Sequence, residues 1–233
     1  MGSVSSAEYA ALAHHVYRDG HTGRCLRWDR YDFRRGAGDS QGLFCAVYVT
    51  PRTRMMVFAI RGTDDGVDLR TDAQLVAGRS PWGDFHSALG FFDMYRRHLG
   101  TWVSEVSVCG HSLGGALACM IGIARGVPAV TFNRPASQLS ARDVATLRAV
   151  GWNAVPLDRL VVNFRNRGDL VSGALPGAVG RQVEVVKELN LRRLARGAMS
   201  LSDGVHHSMQ TLMEAITMHP NAQLTPFEWA DRR

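Results

Sequence analysis

Lysine is almost missing from this chain: Lys187 is the single lysine among 27 basic residues, and the arginines are scattered along the chain. The net charge of +6 comes with no basic stripe, which argues against nucleic acid as a partner. What remains for the charge is attraction to anionic headgroups during transient contact with a membrane surface. Long apolar runs are also missing. The best, Leu113 to Ala124, is interrupted by glycine, falls short of a bilayer span and reads as a buried helix. The chain does not open with a basic region and an apolar block, so no secretory signal is expected. That gives a cytoplasmic default with specialised export left open. Met1-Gly2-Ser3-Val4-Ser5-Ser6 fits a myristoylation pattern formally. Cys25, Cys45, Cys109 and Cys119 form no CxxC pair and are expected as free thiols. With no HExxH, zinc-type Cys/His spacing or Walker lysine, no metal and no cofactor is expected. Repeats, low-complexity blocks and linkers are lacking, so residues 1–233 are expected to form one domain.

What is present is a hydrophobic fraction of 45% and one stretch on which the rest hangs, Glu105 to Arg125. A β-rich run, Val106-Ser107-Val108-Cys109, leads through Gly110-His111-Ser112-Leu113-Gly114-Gly115 into an apolar helical run. Gly-x-Ser-x-Gly between a strand and a helix is the signature of a nucleophile elbow. The serine sits on a sharp turn, and the glycines two residues away let the strand and helix backbones converge. Such a turn should leave the Ser112 hydroxyl exposed and aim the Leu113 N–H at a developing oxyanion.

Other elements follow in order. Ser5-Ser6-Ala7-Glu8 reads as a capping box opening a helix to about Tyr17, with His14 and His15 structural or solvated. Gly20 to Gly42 reads as irregular with one edge strand. Leu43–Val49 and Met55–Ile60 read as an antiparallel pair joined through Pro51-Arg52-Thr53-Arg54. The second strand runs into Arg61-Gly62-Thr63, where an α/β-hydrolase keeps its second oxyanion donor, so Thr63 takes that role. A helix is expected from Asp84 to Leu99, with His86 near its start either structural or bonded to loops around the site. Strands follow at Pro128–Phe132, Leu160–Asn166 and Gln182–Val186. Helices are expected at Ser140–Val150, at Lys187–Arg196 and through Met209, Leu212, Met213 and Ile216. This alternation gives an α/β fold: a mostly parallel central sheet with an antiparallel hairpin at its start and helices on both faces.

A serine hydroxyl needs a base, and the base an orienting acid. In α/β-hydrolases the chain order is Ser, Asp or Glu, His. Asp169 follows the Leu160–Asn166 strand, whereas Asp158 precedes it and Asp143 lies on a predicted helix. For the base, His206, His207 and His219 remain. His219, beside Pro220, is expected to be exposed, and the pattern alone does not separate His206 from His207.

Several segments together resemble the class 3 lipases and their bacterial lipase-like relatives. They are Phe58 to Asp64 with Leu69-Arg70-Thr71-Asp72, Phe85 to Phe91, Gly110 to Gly115, Asn166 to Val171, and His207-Ser208-Met209. The resemblance implies an α/β-hydrolase fold with Ser112 as nucleophile, Asp169 as acid and His207 as base. It also implies Thr63 and Leu113 as the oxyanion hole. The chain departs from the pattern at Ser172 (usually proline), Asn133 (usually glycine) and Ala88-Leu89, which lengthens one spacing. The implied substrate is a lipid ester, either an acylglycerol or a phospholipid cleaved at an acyl position. Gly78 to Trp82, and Gly173 to Ser202 with Leu189, Leu191 and Leu194, are the candidate lid or acyl-binding wall. The alternatives are a short-chain carboxylesterase or thioesterase, and a non-catalytic binding protein on a hydrolase scaffold. A further reading is an exported antibacterial toxin with an immunity protein as partner.

Overall fold

The computed structural model describes residues 3–18, 23–36, 42–62, 82–135, 139–151, 154–167, 179–185 and 209–232. Its centre is a sheet of eight strands in sequential order. These are β1 (Arg24–Cys25), β2 (Trp28–Arg35), β3 (Phe44–Thr50), β4 (Met55–Ile60), β5 (Glu105–His111), β6 (Ala129–Phe132), β7 (Val161–Asn166) and β8 (Arg181–Val185). From β1 to β4 the pairs are antiparallel. From β4 to β8 they are parallel. This is the α/β-hydrolase arrangement expected from the sequence, antiparallel hairpin included.

The strand sequences explain why both faces are covered. Every residue of β3 and β4 is buried, as in strands that read as continuous apolar runs rather than alternations. Alternate residues still serve different layers. Met56, Phe58 and Ile60 join one core cluster with Phe85, Phe92 and Leu117, whereas Met55, Val57 and Ala59 join a second with Leu12, Leu212 and Ile216. The first layer holds α2 (Trp82–Leu99) and α3 (Leu113–Arg125). The second holds α1 (Ser6–His15), α6 (Met209–Met218) and α7 (Pro226–Asp231). Two further helices, α4 (Ala141–Gly151) and α5 (Leu157–Leu160), lie between β6 and β7 in the chain. Among the described residues no helix is long and apolar enough to cross a membrane.

The stretch from Gly20 to Gly42, read as irregular with one edge strand, holds two strands: eight-residue β2 and, at the edge of the sheet among the described residues, two-residue β1. The charged residues of β2 concealed it. Arg30 is buried, donating to the Tyr48 hydroxyl at 3.0 Å and the His15 carbonyl at 2.7 Å. A buried cation satisfied in this way does not show up as an apolar position. His219 is also a correction. It is half-buried rather than exposed, with its ring stacked 4.4 Å from Trp229. The short helix α7 had no counterpart among the expected elements, although Thr225 and Glu228 form its capping box.

The capping box at Ser5 is present, and Glu8 does more than cap. Its carboxylate accepts from the Ser5 N–H at 3.0 Å, Arg27 Nε at 2.5 Å and Trp28 Nε1 at 3.0 Å. Burial pushes the Glu8 pKa up, but these donors outweigh it and hold it below its ordinary 4.5. A lowered folded-state pKa adds stability above the unfolded value and loses it as pH falls through the folded value. Melting temperature should therefore drop below about pH 4.5, the ordinary carboxylate range. Glu8→Gln should lower it at pH 7 and flatten that drop, which thermal unfolding across the acid range checks.

Candidate active site

Ser112 sits between β5 and α3 with φ 54° and ψ −126°. A side chain in that region carries strain, which the surrounding structure must impose. The turn is held on both sides: the Ser112 N–H donates to the Phe132 carbonyl of β6 at 3.0 Å, and the Ser112 carbonyl accepts from Ala116 at 3.1 Å. A serine at this helix-preceding position ordinarily caps the helix with its hydroxyl. Here the side chain makes no cap bond. Leu113 supplies the first N–H of the helix.

The two motif glycines are dictated by contact distances. A Cβ on Gly110 would lie 2.3 Å from the Gly114 carbonyl oxygen, and one on Gly114 would lie 2.3 Å from the Ile60 carbonyl oxygen. So β5, α3 and the exit of β4 converge at Ser112, closer than any other residue type permits. The serine is more enclosed than expected from an exposed turn apex. It is 9% exposed, and the exit of β4 lies close by: a Cβ placed on Gly62 would come within 3.1 Å of the Ser112 Cβ.

Behind the elbow, α3 is buried over its whole circumference from Gly114 to Ala124, as befits a helix that is apolar all round. It ends at Gly126 in the left-handed region, φ 65°. The four cysteines are buried and unlinked. Burial pushes the Cys109 and Cys119 thiols up, so both are protonated and inert. Among the described residues no cluster of His, Cys, Asp or Glu could hold a metal ion.

At the carboxyl edge of β6 the chain turns through Asn133, φ 45° and fully buried. Asparagine is one of the few residues besides glycine that adopts this conformation readily. Its side chain adds a function glycine lacks: Oδ1 accepts from the Asn166 N–H at 2.9 Å, while the Asn133 N–H donates to the Phe164 carbonyl at 2.8 Å. Asn133 thereby fixes the end of β7, from which the chain leads toward Asp169. Asn133→Ala should destabilise by about 2–4 kcal/mol, combining a buried N–H without its acceptor and strain at positive φ. Asn133→Gly removes the strain and should cost about 1–3 kcal/mol. Urea unfolding of the two variants separates the terms.

Of the residues singled out from sequence, Ser112 lies at the turn between β5 and α3, and Leu113 opens α3. Thr63, Asp169, His206 and His207 lie outside the described residues, as do Lys187–Arg196 and most of the two candidate lid stretches. Described neighbours bracket them: Gly62 precedes Thr63, Arg167 donates its N–H to the Val185 carbonyl two residues before Asp169, and Met209 opens α6 two residues after His207. His86 is exposed on α2, its ring against Trp82. Asp143 closes a capping box with Ser140, and Asp158 lies exposed in the first turn of α5. Sequence reasoning missed Asn133 as a bonding residue and Tyr17, whose hydroxyl lies 2.8 Å from His111 Nδ1 and accepts from the Gly62 N–H at 3.0 Å. An asparagine closing a strand is a turn signal that was available. Tyr17 had none, because its partners lie 45 and 94 residues away. The groove lined by Tyr9, Met56, Val106 and Phe227 opens at the amino ends of β4 and β5, the edge opposite Ser112.

The chain is similar in fold to several solved lipases. Lipase II from Rhizopus niveus superposes with a TM-score of 0.59 at 15% identity, over 79% of this chain and 80% of that one. The lipase from Rhizopus microsporus var. chinensis gives 0.57 at 16% identity, over 79% and 74%. Lip2 lipase from Yarrowia lipolytica gives 0.51 at 16% identity, over 77% and 76%. A 38-residue segment is 47% identical to "Putative lipase ATG15" of Mycosarcoma maydis, spanning 16% of this chain and 7% of that protein's length. At residues 8–216 the sequence matches a phospholipase-like family model, the Tle-like phospholipase domain. With most of its length matched, the chain belongs to the Tle-like phospholipase domain family.

Proposed function

We propose that this chain hydrolyses acyl esters of lipids, acylglycerols or phospholipids, through a covalent acyl-serine. The observation that carries the proposal is the strained, non-capping Ser112 at a strand-to-helix turn closed by two glycines that admit no side chain. In this reading His207 removes the Ser112 proton as Oγ attacks the ester carbonyl, and Asp169 orients the imidazole. The Leu113 and Thr63 N–H groups stabilise the tetrahedral oxyanion. His207 then returns its proton to the leaving alcohol, and water, deprotonated by the same histidine, releases the fatty acid and restores the serine. Support for the substrate class comes from the phospholipase-like family, and the fold likeness to lipases is consistent with it.

The test uses vesicles of mixed phospholipid and acylglycerol, with mass spectrometry of the products from wild type and Ser112→Ala. Free fatty acid together with lysophospholipid or partial glyceride, formed only by the wild type, is the expected result. Release of a phosphorylated headgroup instead would overturn acyl-ester cleavage.

A further inference from the structure

We propose that Tyr17 is a positioning residue for ester hydrolysis, its hydroxyl tying the exit of β4 to the residue that precedes the nucleophile. This rests on the serine-hydrolase reading above and names a part of that site outside the triad and oxyanion hole. Tyr17 lies just past the end of α1, partly buried, with its ring edge-on to His111 at 5.9 Å. Its oxygen meets two backbone segments that are otherwise unconnected in sequence. It accepts from the Gly62 N–H at 3.0 Å and pairs with His111 Nδ1 at 2.8 Å. A phenol has one proton to give. The oxygen accepts from Gly62 with one lone pair and keeps both a proton and a second lone pair, so it can bond Nδ1 in either tautomer of His111. His111 is buried, and its own carbonyl would lie 2.6 Å from a Cβ placed on Gly62.

The arrangement matters because of what flanks it. His111 is the last residue of β5, directly before Ser112. Gly62 is directly before Thr63 in the chain. One hydroxyl therefore sets the spacing between the segment that presents the nucleophile and the segment that leads to the proposed second oxyanion donor. Oxyanion donors act only within a few tenths of an ångström of their proper place, and misplacement by about 1 Å costs roughly 100-fold in rate. The glycine at 62 belongs to the same device. Its built Cβ would stand 2.8 Å from the Tyr17 oxygen, so a side chain there would displace the phenol.

The experiment compares wild type and Tyr17→Phe as full chains on p-nitrophenyl butyrate. It also measures inhibition by an aryl boronic acid, which takes up a tetrahedral, oxyanion-like form on serine. The expected result is kcat reduced about 10–100-fold, KM within about threefold, and boronate affinity reduced in step with kcat. Melting temperature should shift by only a few degrees, the effect of about one hydrogen bond. Unchanged kcat in Tyr17→Phe beside an active wild type overturns the proposal and leaves the hydrolase reading standing. A kcat loss with unchanged boronate affinity also overturns it. A wild type that neither turns over ester nor binds boronate overturns both. If Tyr17→Phe does not fold, His111→Asn and His111→Leu decide. The asparagine amide can bond the phenol in place of Nδ1, through Oδ1 or its NH2, so its kcat should exceed that of the leucine variant by at least about tenfold. Equal rates for the pair overturn the proposal.

Discussion

Ser112→Ala should lower ester turnover by on the order of 10⁴–10⁶-fold while leaving the fold intact. The size follows from what the side chain does in the proposed reaction. Without Oγ no acyl-serine forms, and the base has no nucleophile to activate. What remains is water attack aided by oxyanion donors and binding, which in such sites retains a modest advantage over solution. The structural side of the prediction is equally definite. The Ser112 hydroxyl makes no cap bond to α3, and the elbow is held by its backbone, through Phe132 and Ala116. Alanine adopts the same strained φ with little added cost relative to serine. Turnover and melting temperature should therefore separate, turnover collapsing while melting moves by no more than a few degrees. A comparable loss of both would show that the serine is structural.

Gly114→Ala should be strongly destabilising although it adds a single methyl. The new Cβ would lie 2.3 Å from the Ile60 carbonyl oxygen and 2.7 Å from the Arg61 carbonyl carbon. Both are backbone atoms at the exit of β4, so no rotamer change relieves the clash. The relief must come from moving α3 away from the sheet or β4 away from β5. The α3 face is packed with fully buried side chains such as Leu117 and Ile121, and close-packed interiors yield little. A loss of at least about 3 kcal/mol is expected, in the range that marks a specific steric mechanism. Activity should fall with it, because the same movement opens the turn at Ser112. Gly90→Ala is the matched control: it adds a methyl on the exposed side of α2, where nothing lies within 4 Å of the new Cβ. That variant should be neutral or more stable by about 0.5–1 kcal/mol. Urea unfolding of the pair measures both.

The fold was legible wherever apolar pattern and steric punctuation coincide. β3 and β4 are unbroken apolar runs with a turn between them, and Gly110 and Gly114 announce a backbone crossing that only glycine allows. β2 was less legible, because its inward positions include Arg30, whose charge is answered by Tyr48 and the His15 carbonyl from distant segments. Chain order and pattern narrowed the nucleophile to Ser112. Between His206 and His207 they left a choice that only the lipase resemblance made. Asn133 shows the reverse case. From sequence it stood only as a departure from the resembled pattern, yet its left-handed backbone and its bond to the Asn166 N–H make it a support for the end of β7. Tyr17 could not be found from sequence at all. Its meaning lies in one oxygen meeting Gly62 and His111, contacts fixed by how α1 packs against the sheet rather than by any local pattern.

The most direct test of the account is to treat the protein with a fluorophosphonate at neutral pH and map the adduct by peptide mass spectrometry. The account predicts a single phosphonylated residue, Ser112, with labelling abolished by prior heat denaturation. An unlabelled folded protein, or an adduct confined to any other serine, would contradict it.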